Sequence, residues 1–210
     1  MNGKHRPRVI GIAGGTGAGK TTVAKAIVKR MPAGQAALIQ HDWYYKGHPN
    51  MPLEKRAALN YDEPGALENT LLAEHIRMLK SGQGVECPQY DFQVHLRKNE
   101  TMHVEPCRII VIEGILAFSV PLLRDLFDLR IFVDTADDIR LIRRIKRDLK
   151  KRGRDIDSIQ HQYYETVRPM HRTYVEPAKD HAHIIIPEGG ENKHAIDLIV
   201  DALLYGLSPA

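Results

Sequence analysis

The feature that most constrains this chain is a glycine-rich loop between an apolar run and a helical pattern. The run Val9–Ala13 leads directly into Gly14-Gly15-Thr16-Gly17-Ala18-Gly19-Lys20-Thr21, which matches the pattern G-x-x-x-x-G-K-[ST]. Glycines let successive backbone N–H groups surround a phosphate, and the helix N-terminus adds partial positive charge. We therefore predict that the nucleotide is bound by Gly14, Gly15, Thr16, Gly17, Ala18, Gly19, Lys20, Thr21 and Thr22.

Short apolar runs alternate with helical patterns along the rest of the chain. Such runs are typical of strands buried on both faces of a parallel sheet. The predicted strands are Val9–Ala13, Ala36–Gln40, Ile109–Ile112, Leu129–Val133 and Ile184–Ile186. The predicted helices are Thr21–Met31, Ala66–Lys80, Asp137–Lys151, Ile156–Val167 and His194–Leu204. This order predicts an α/β fold of the P-loop NTPase type, with a parallel sheet flanked by helices.

Two segments interrupt the alternation. Residues 84–106 predict a small inserted β-hairpin, and residues 148–160 predict a lid that carries arginines. A chain of 210 residues is long enough for one sizeable core but short for two independent ones. We therefore expect residues 1–210 to form a single domain.

A phosphate loop does not by itself define the reaction. Switch GTPases read guanine with Asn-Lys-x-Asp, whereas the one Asn-Lys pair here, at 192–193, continues as His194-Ala195. The letters D-x-x-G occur at 62–65 but follow no predicted strand, and the sequence lacks the Leu-Ser-Gly-Gly-Gln signature of transporters. These observations disfavour the switch and motor classes.

Two carboxylates follow predicted strands. Glu113 ends the run Ile109–Ile112, and Asp42 follows the strand that ends at Gln40. Ligands of open α/β sheets lie at the carboxyl ends of strands, so both side chains are expected at the site. Thr21 and Glu113 are predicted to serve Mg²⁺. A kinase needs a carboxylate to accept the proton of the attacking hydroxyl, and Asp42 suits that role.

Basic residues are concentrated in one segment. The net charge is +4, and nine of the fifteen residues from Arg140 to Arg154 are Lys or Arg. Ile139, Ile142, Ile145 and Leu149 give this predicted helix a single apolar stripe, and the basic residues occupy its other faces. Such charges are usually a solvated face. Here the sequence Arg152-Gly153-Arg154 at its end favours a closing lid whose arginines neutralise a transferring phosphoryl group.

Composition predicts a cytoplasmic protein. No run approaches the roughly 20 apolar residues of a spanning helix, and residues 1–7 show no export signal. Cys87 and Cys107 fit no metal-binding spacing. No recognised nucleic-acid-binding motif surrounds the basic segment, so we expect neither nucleic acid nor membrane as a partner.

From residue 9 to residue 204 the chain closely resembles the uridine kinase (uridine–cytidine kinase) family. The blocks that carry the resemblance are Gly14–Thr22, Asp42-Trp43-Tyr44-Tyr45-Lys46, Asn60-Tyr61-Asp62-Glu63-Pro64, Pro88-Gln89-Tyr90-Asp91-Phe92, Ile112-Glu113-Gly114-Ile115-Leu116, Phe132-Val133-Asp134-Thr135, Arg143-Arg144-Ile145-Lys146-Arg147-Asp148, Arg152-Gly153-Arg154, Val167-Arg168-Pro169-Met170 and Gly189-Gly190-Glu191-Asn192. The sequence departs from the family's pattern at Trp43, where a small polar residue is usual.

The resemblance implies transfer of phosphate from ATP or GTP, with Mg²⁺, to the 5′-hydroxyl of uridine or cytidine. It implies that Asp42 is the catalytic base, that Lys20 is catalytic, and that Arg147, Arg152 and Arg154 face the phosphates. The implied nucleoside-binding residues are Asp42, Tyr45, Asp62, Tyr90, Phe92, His95, Arg144 and Gln162. A neutral imidazole at His95 has one donor and one acceptor, and so suits both uracil and cytosine. The resemblance also implies a homotetramer.

Two alternatives stay open. One is another P-loop kinase of a small molecule, such as phosphoribulokinase or pantothenate kinase. The aromatic hairpin disfavours these acceptors, because Tyr90, Phe92 and His95 suit a base ring. The other is a nucleotide-sensing or nucleic-acid-binding protein, which has no need of an acceptor base such as Asp42.

Overall fold

The computed structural model describes residues 6–206, and its centre is a parallel sheet. The strands in chain order are β1 (Arg8–Ala13), β2 (Ala36–Gln40), β3 (Val85–Asp91), β4 (Leu96–Val104), β5 (Ile109–Glu113), β6 (Leu129–Asp134) and β7 (Ile184–Pro187). Within the described residues, five strands form the main sheet in the order β2-β5-β1-β6-β7, and all adjacent pairs are parallel. Each of the five predicted strands is confirmed to within one residue at either end.

Helices cover both faces of this sheet. Their bounds are α1 (Lys20–Arg30), α2 (Leu53–Ala57), α3 (Asn69–Lys80), α4 (Pro121–Arg124), α5 (Asp137–Lys151), α6 (Ile156–Gln162), α7 (Arg168–Met170) and α8 (Lys193–Tyr205). Apolar residues of α1 and α8 bury one face of the sheet, and those of α3 and α4 bury the other. The predicted P-loop NTPase-type α/β fold is confirmed.

The inserted segment forms a separate two-stranded antiparallel hairpin of β3 and β4, inside the predicted range 84–106. The pairing register shifts between Pro88 and Tyr90, where proline interrupts the ladder. Val85, Cys87 and Val104 bury one face of the hairpin in the α3-side core, which fixes the hairpin beside the carboxyl end of β2.

The predicted start of α3 is wrong by three residues. Pro64–Ala66 form a short 3₁₀ turn, and Leu67 is extended, with ψ 149°, where it bridges Tyr45. Leu67 is buried at this bridge, so it packs into the core from an extended segment and not from a helix.

The predicted end of the helix 156–167 is also wrong, because helical backbone continues beyond it. Helix α6 passes into a π-helical turn at Tyr163–Val167, then α7, then a second π-helical turn at His171–Val175. In a regular α-helix the ring of Pro169 would meet the carbonyl four residues earlier. The wider π turn before it accommodates the proline without ending the helix.

Helix α5 has the predicted bounds, but its charged face is buried and its apolar face is exposed. Arg140, Arg144 and Asp148 are its buried residues, whereas Ile142 and Leu149 are 50% and 44% exposed. The predicted apolar stripe therefore faces away from the core, and a polar face lies against the phosphate loop. Since buried charges require paired or functional partners, this orientation indicates that α5 serves the site.

Among the described residues, no helix has the length and apolar character needed to cross a bilayer. The expectation that no export signal precedes β1 depends largely on residues 1–5, which lie outside the described residues.

Candidate active site

The phosphate loop joins β1 to α1 at the carboxyl edge of the sheet. Gly14 and Gly17 have φ of 145° and 77°, and a Cβ on either would lie within 2.5 Å of a backbone oxygen, of Val133 and Arg140 respectively. Both positions therefore require glycine for conformation and for space. Lys20 is buried and its Nζ donates to the Gly15 carbonyl at 3.1 Å. Burial lowers the pKa of Lys20, an effect that the nearby Glu113 and Asp42 carboxylates oppose.

Thr21 and Glu113 meet directly beside this loop. The Thr21 hydroxyl donates to Glu113 Oε1 at 2.7 Å, and Gln40 donates to the same oxygen at 3.0 Å. Burial raises the pKa of Glu113, and the nearby Lys20 opposes this shift, so a neighbouring cation favours the ionised carboxylate. The residues fit Mg²⁺, which is commonly held by one carboxylate and hydroxyl oxygens together with substrate phosphates and water. In the described residues, no cluster of three or more His, Cys, Asp or Glu side chains offers a complete protein cage for a metal.

One cavity of about 210 Å³ brings the predicted groups together. Its walls include Lys20, Thr21 and Glu113 at the phosphate end, together with every predicted nucleoside-binding residue and all four predicted arginines. The side chains lining it are Thr16, Lys20, Thr21, Gln40, Asp42, Tyr45, Tyr61, Asp62, Tyr90, Phe92, His95, Glu113, Ile115, Arg144, Arg147, Arg152, Arg154 and Gln162. Asp42 lies in the short 3₁₀ helix His41–Tyr44 that follows β2.

Asp62 is a second carboxylate of this cavity, and it is buried. Thr166, on the first π-helical turn, donates to Asp62 Oδ2 at 3.2 Å. Burial raises the pKa of Asp62, and Arg144 is the main opposing influence. Asp62 and Asp42 thus face one cavity in different surroundings, which allows them different tasks.

Aromatic rings form the far wall. His95 stacks on Tyr61 with ring centroids 4.9 Å apart and an interplanar angle of 24°. Tyr45 packs edge-on against Tyr61, and Tyr90 packs edge-on against Phe92, both at 5.3 Å. This wall suits a flat heterocycle better than a sugar phosphate.

His95 lies at the hairpin turn with φ 52°, a left-handed conformation that histidine adopts more readily than most residues. Burial, and then the adjacent Arg154 and Arg152 guanidinium groups, lower the pKa of His95 to about 4. The imidazole is therefore neutral above pH 5 and retains one donor and one acceptor.

The arginines of the cavity contact both the phosphate loop and the nucleoside-binding side chains. Arg144 and Arg147 both donate to Thr16 Oγ1 of the phosphate loop, at 3.1 and 3.3 Å. Arg144 and Arg154 both donate to Gln162 Oε1, and Arg154 also lies 3.5 Å from His95 Nε2. The contact of Arg154 with the phosphates, which the resemblance implies, stays a prediction.

Several residues of the site carry no functional signal of their own in the sequence. Tyr61 and Gln40 line the cavity, and Thr166 donates to Asp62. A lone threonine in a helical run predicts no role. Tyr61 and the buried Asp148 lie in blocks that resemble the family, but the resemblance implies no role for either.

A parallel sheet with a phosphate loop after its first strand, and a cavity that joins this loop to carboxylates and arginines, is the arrangement of a P-loop kinase. The chain belongs to the phosphoribulokinase/uridine kinase family, whose model matches residues 9–195.

Curated relatives match the chain over most of its length. It is 51% identical to a uridine kinase of Clostridium tetani over 93% of both chains, and 50% identical to one of Bacillus subtilis over 92% of both. Among solved structures, phosphoribulokinase from Rhodobacter spheroides superposes with a TM-score of 0.67 at 15% identity, over 88% of this chain and 71% of the other. D-glycerate 3-kinase from Cryptococcus neoformans superposes with a TM-score of 0.64 at 16% sequence identity, over 87% of each chain. These two structures support the fold alone.

Proposed function

We propose that this protein transfers the γ-phosphoryl group of ATP or GTP to the 5′-hydroxyl of uridine or cytidine. The observation that carries the proposal is one cavity in which Asp42 lies near both Lys20 of the phosphate loop and Tyr45 of the aromatic wall. The curated relatives, at about half identity over nearly the whole chain, bear the name uridine kinase.

Each end of the cavity has a defined task. The triphosphate occupies the loop around Lys20. Thr21 and Glu113 would hold Mg²⁺, which would neutralise charge on the phosphates. The base lies against Tyr61 and His95, and the ribose hydroxyls face Asp62.

The reaction is an in-line displacement. The 5′-oxygen attacks the γ-phosphorus while its proton passes to Asp42, and the bond to the β-phosphate oxygen breaks. Lys20 and the guanidinium groups of Arg144, Arg147 and Arg152 stabilise the charge that develops. Closure of the predicted lid, residues 148–160, would exclude water from this step.

Steady-state kinetics with separate acceptors test the proposal. Uridine or cytidine should give the highest kcat/KM among nucleosides, ribulose 5-phosphate and pantothenate. A preference for ribulose 5-phosphate or pantothenate would favour the corresponding other kinase, and ATP binding without transfer to any acceptor would favour a nucleotide sensor.

The neutral imidazole of His95 leads to a prediction about base recognition. His95→Phe keeps the stack on Tyr61 but removes both polar atoms, and should lower kcat/KM for both nucleosides by roughly 5- to 150-fold, the cost of an unmet buried partner. His95→Asn retains a donor and an acceptor, tolerates the left-handed backbone and should lose less on both. Because the pKa of His95 is about 4, the ratio of uridine to cytidine kcat/KM should be constant from about pH 6 to 8. A ratio that varies over this range would contradict base recognition by neutral His95.

We also propose a homo-oligomer, a tetramer by the family resemblance, and a cytoplasmic location. The outward stripe of α5 supports the first, because Ile139, Ile142 and Leu149 are 40–50% exposed and continue into Ile156. The two free cysteines are consistent with the second.

The oligomer is testable by sedimentation. Ile142→Glu should shift the protein to a smaller species, because a charge would be buried at the subunit contact. Lys25→Glu, at an exposed position of α1, introduces a glutamate outside this stripe; it is the control and should keep the wild-type mass. An Ile142→Glu variant of unchanged mass would exclude this stripe as the interface.

A further inference from the structure

Asp148 is a carboxylate with no exposed surface, placed at the centre of the arginines of α5. Arg147 Nε donates to its Oδ1 at 2.8 Å. Arg144 Nε lies 3.5 Å from Oδ2 and Arg152 Nε lies 3.6 Å from Oδ1. All three guanidinium groups therefore turn the same edge, the Nε edge, toward one carboxylate.

This arrangement leaves the terminal nitrogens free to face the site. Arg144 Nη1 and Arg147 Nη2 both reach Thr16 Oγ1 of the phosphate loop. Arg152 extends over the Phe92 ring, with its guanidinium carbon 4.7 Å from the ring centre. Thus the orientation set at Asp148 determines which atoms the three arginines present to the cavity.

The backbone of Asp148 has a second role in the same place. Its carbonyl accepts hydrogen bonds from the amides of Arg152 and Arg154, at 3.2 and 3.3 Å. Between them Gly153 adopts φ 64°, where an added Cβ would meet nothing within 4 Å, so conformation alone requires glycine there. One residue therefore fixes both the arginine side chains and the turn that begins the predicted lid.

Electrostatics explain why a carboxylate is needed at this point. Three guanidinium groups converge here, and without a counter-charge they would repel one another and separate. Burial would raise the pKa of Asp148, but Arg147 and Arg144 outweigh it and lower the pKa, so the carboxylate stays ionised at neutral pH. Asp148 is fully buried and is not among the described residues that line the cavity, so we expect it to act on the substrate through the arginines.

We propose that Asp148 is a positioning residue for phosphoryl transfer, acting through the Nε edges of Arg144, Arg147 and Arg152. This rests on the proposed function only in requiring that the protein transfers phosphate. Asp148 sets the geometry of the arginines in the transition state and contributes nothing favourable to ATP binding. Its negative charge offsets part of the positive charge of the three arginines and so slightly opposes such binding.

The two effects give Asp148→Asn a distinctive kinetic signature. Asparagine keeps the volume but removes the charge, so kcat should fall by about 10- to 100-fold, the scale of a misplaced transition-state contact. The KM for ATP should stay equal or fall. Asp138→Asn, an exposed position in the first turn of the same helix, is the matched control and should leave both constants unchanged.

A double-mutant cycle tests whether Asp148 acts through its closest arginine. In an Arg147→Gln background, the loss caused by Asp148→Asn should be at least about three-fold smaller than in the wild type, because coupled residues are not additive. The assay uses the best acceptor of the nucleoside, ribulose 5-phosphate and pantothenate series. A wrong acceptor would therefore overturn the proposed function without affecting this test.

Circular dichroism and thermal melting identify a variant that fails to fold. If Asp148→Asn does not fold, Asp148→Glu is measured in its place, because it keeps the charge but displaces the carboxylate. Asp148→Glu should lower kcat at least five-fold and leave the KM for ATP unchanged. A folded Asp148→Asn or Asp148→Glu with kcat within threefold of the wild type would overturn the proposal. So would an equal loss in both arginine backgrounds, or a raised KM with unchanged kcat.

Discussion

Asp42→Asn should lower kcat by about 10²-fold or more while leaving ATP affinity nearly intact. Asparagine matches aspartate in size but cannot take the proton of the attacking 5′-hydroxyl. Asp42 lies after β2, whereas the loop that we propose binds the triphosphate follows β1. The two functions should therefore separate in the kinetics.

The measurement is kcat with uridine at saturating ATP, together with the dissociation constant for ATP by calorimetry. Asp201→Asn, at an exposed position of α8, controls for a change of aspartate to asparagine outside the site. An Asp42→Asn variant that keeps more than a third of the wild-type kcat would rule out Asp42 as the base.

Asp62→Ala should have the second large effect, on the choice between ribo- and deoxyribonucleosides. A buried carboxylate can accept from both the 2′- and 3′-hydroxyls, and hydrogen bonds to charged groups contribute about 1.5–3 kcal/mol each. We expect the wild type to prefer uridine over 2′-deoxyuridine by about 10²-fold or more, because a site built to bind a hydroxyl rejects analogues that lack it.

Asp62→Ala removes the carboxylate and should lower kcat/KM for uridine by about 10²-fold. The ratio of kcat/KM for uridine to that for 2′-deoxyuridine should fall at least ten-fold. Thr166→Val removes only the hydroxyl that donates to Asp62 Oδ2, so this control should retain most of the preference. If the ratio of the two kcat/KM values is the same in Asp62→Ala and wild type, Asp62 does not contact the ribose.

The main sheet was predictable because its signal is local. Continuous apolar runs such as Ile109–Ile112 define buried parallel strands, and the loop Gly14–Thr21 fixes which strand leads into the first helix. Both features depend on residues adjacent in sequence, so the sequence alone placed them correctly.

The orientation of α5 was not predictable from periodicity. A stripe of Ile142, Ile145 and Leu149 normally predicts the buried face of a helix. Here the helix instead buries Arg140, Arg144 and Asp148. Its arginines contact the phosphate loop, and this contact determines which face of the helix is buried. Local pattern cannot reveal such a tertiary preference.

The site residues likewise include some whose position follows from the local sequence and some whose position depends on tertiary contacts. Asp42 and Glu113 follow strands, so the edge of the sheet predicts their position. Thr166 donates to Asp62 although the two residues are 104 positions apart. Thr166 lies in the π-helical turn after α6, which the sequence did not predict. The contact between Arg154 and His95 joins residues 59 positions apart, so periodicity and local motifs could not predict it.

One competition experiment tests the central claim most directly. The protein is incubated with ATP, Mg²⁺ and an equimolar mixture of uridine, cytidine, thymidine, ribulose 5-phosphate and pantothenate, and the products are identified by mass and by ³¹P NMR. The account predicts that UMP and CMP, phosphorylated at the 5′-oxygen, are the dominant products and that both nearly disappear with Asp42→Asn. A phosphorylated ribulose 5-phosphate or pantothenate as the main product, or UMP formation unaffected by Asp42→Asn, would contradict it.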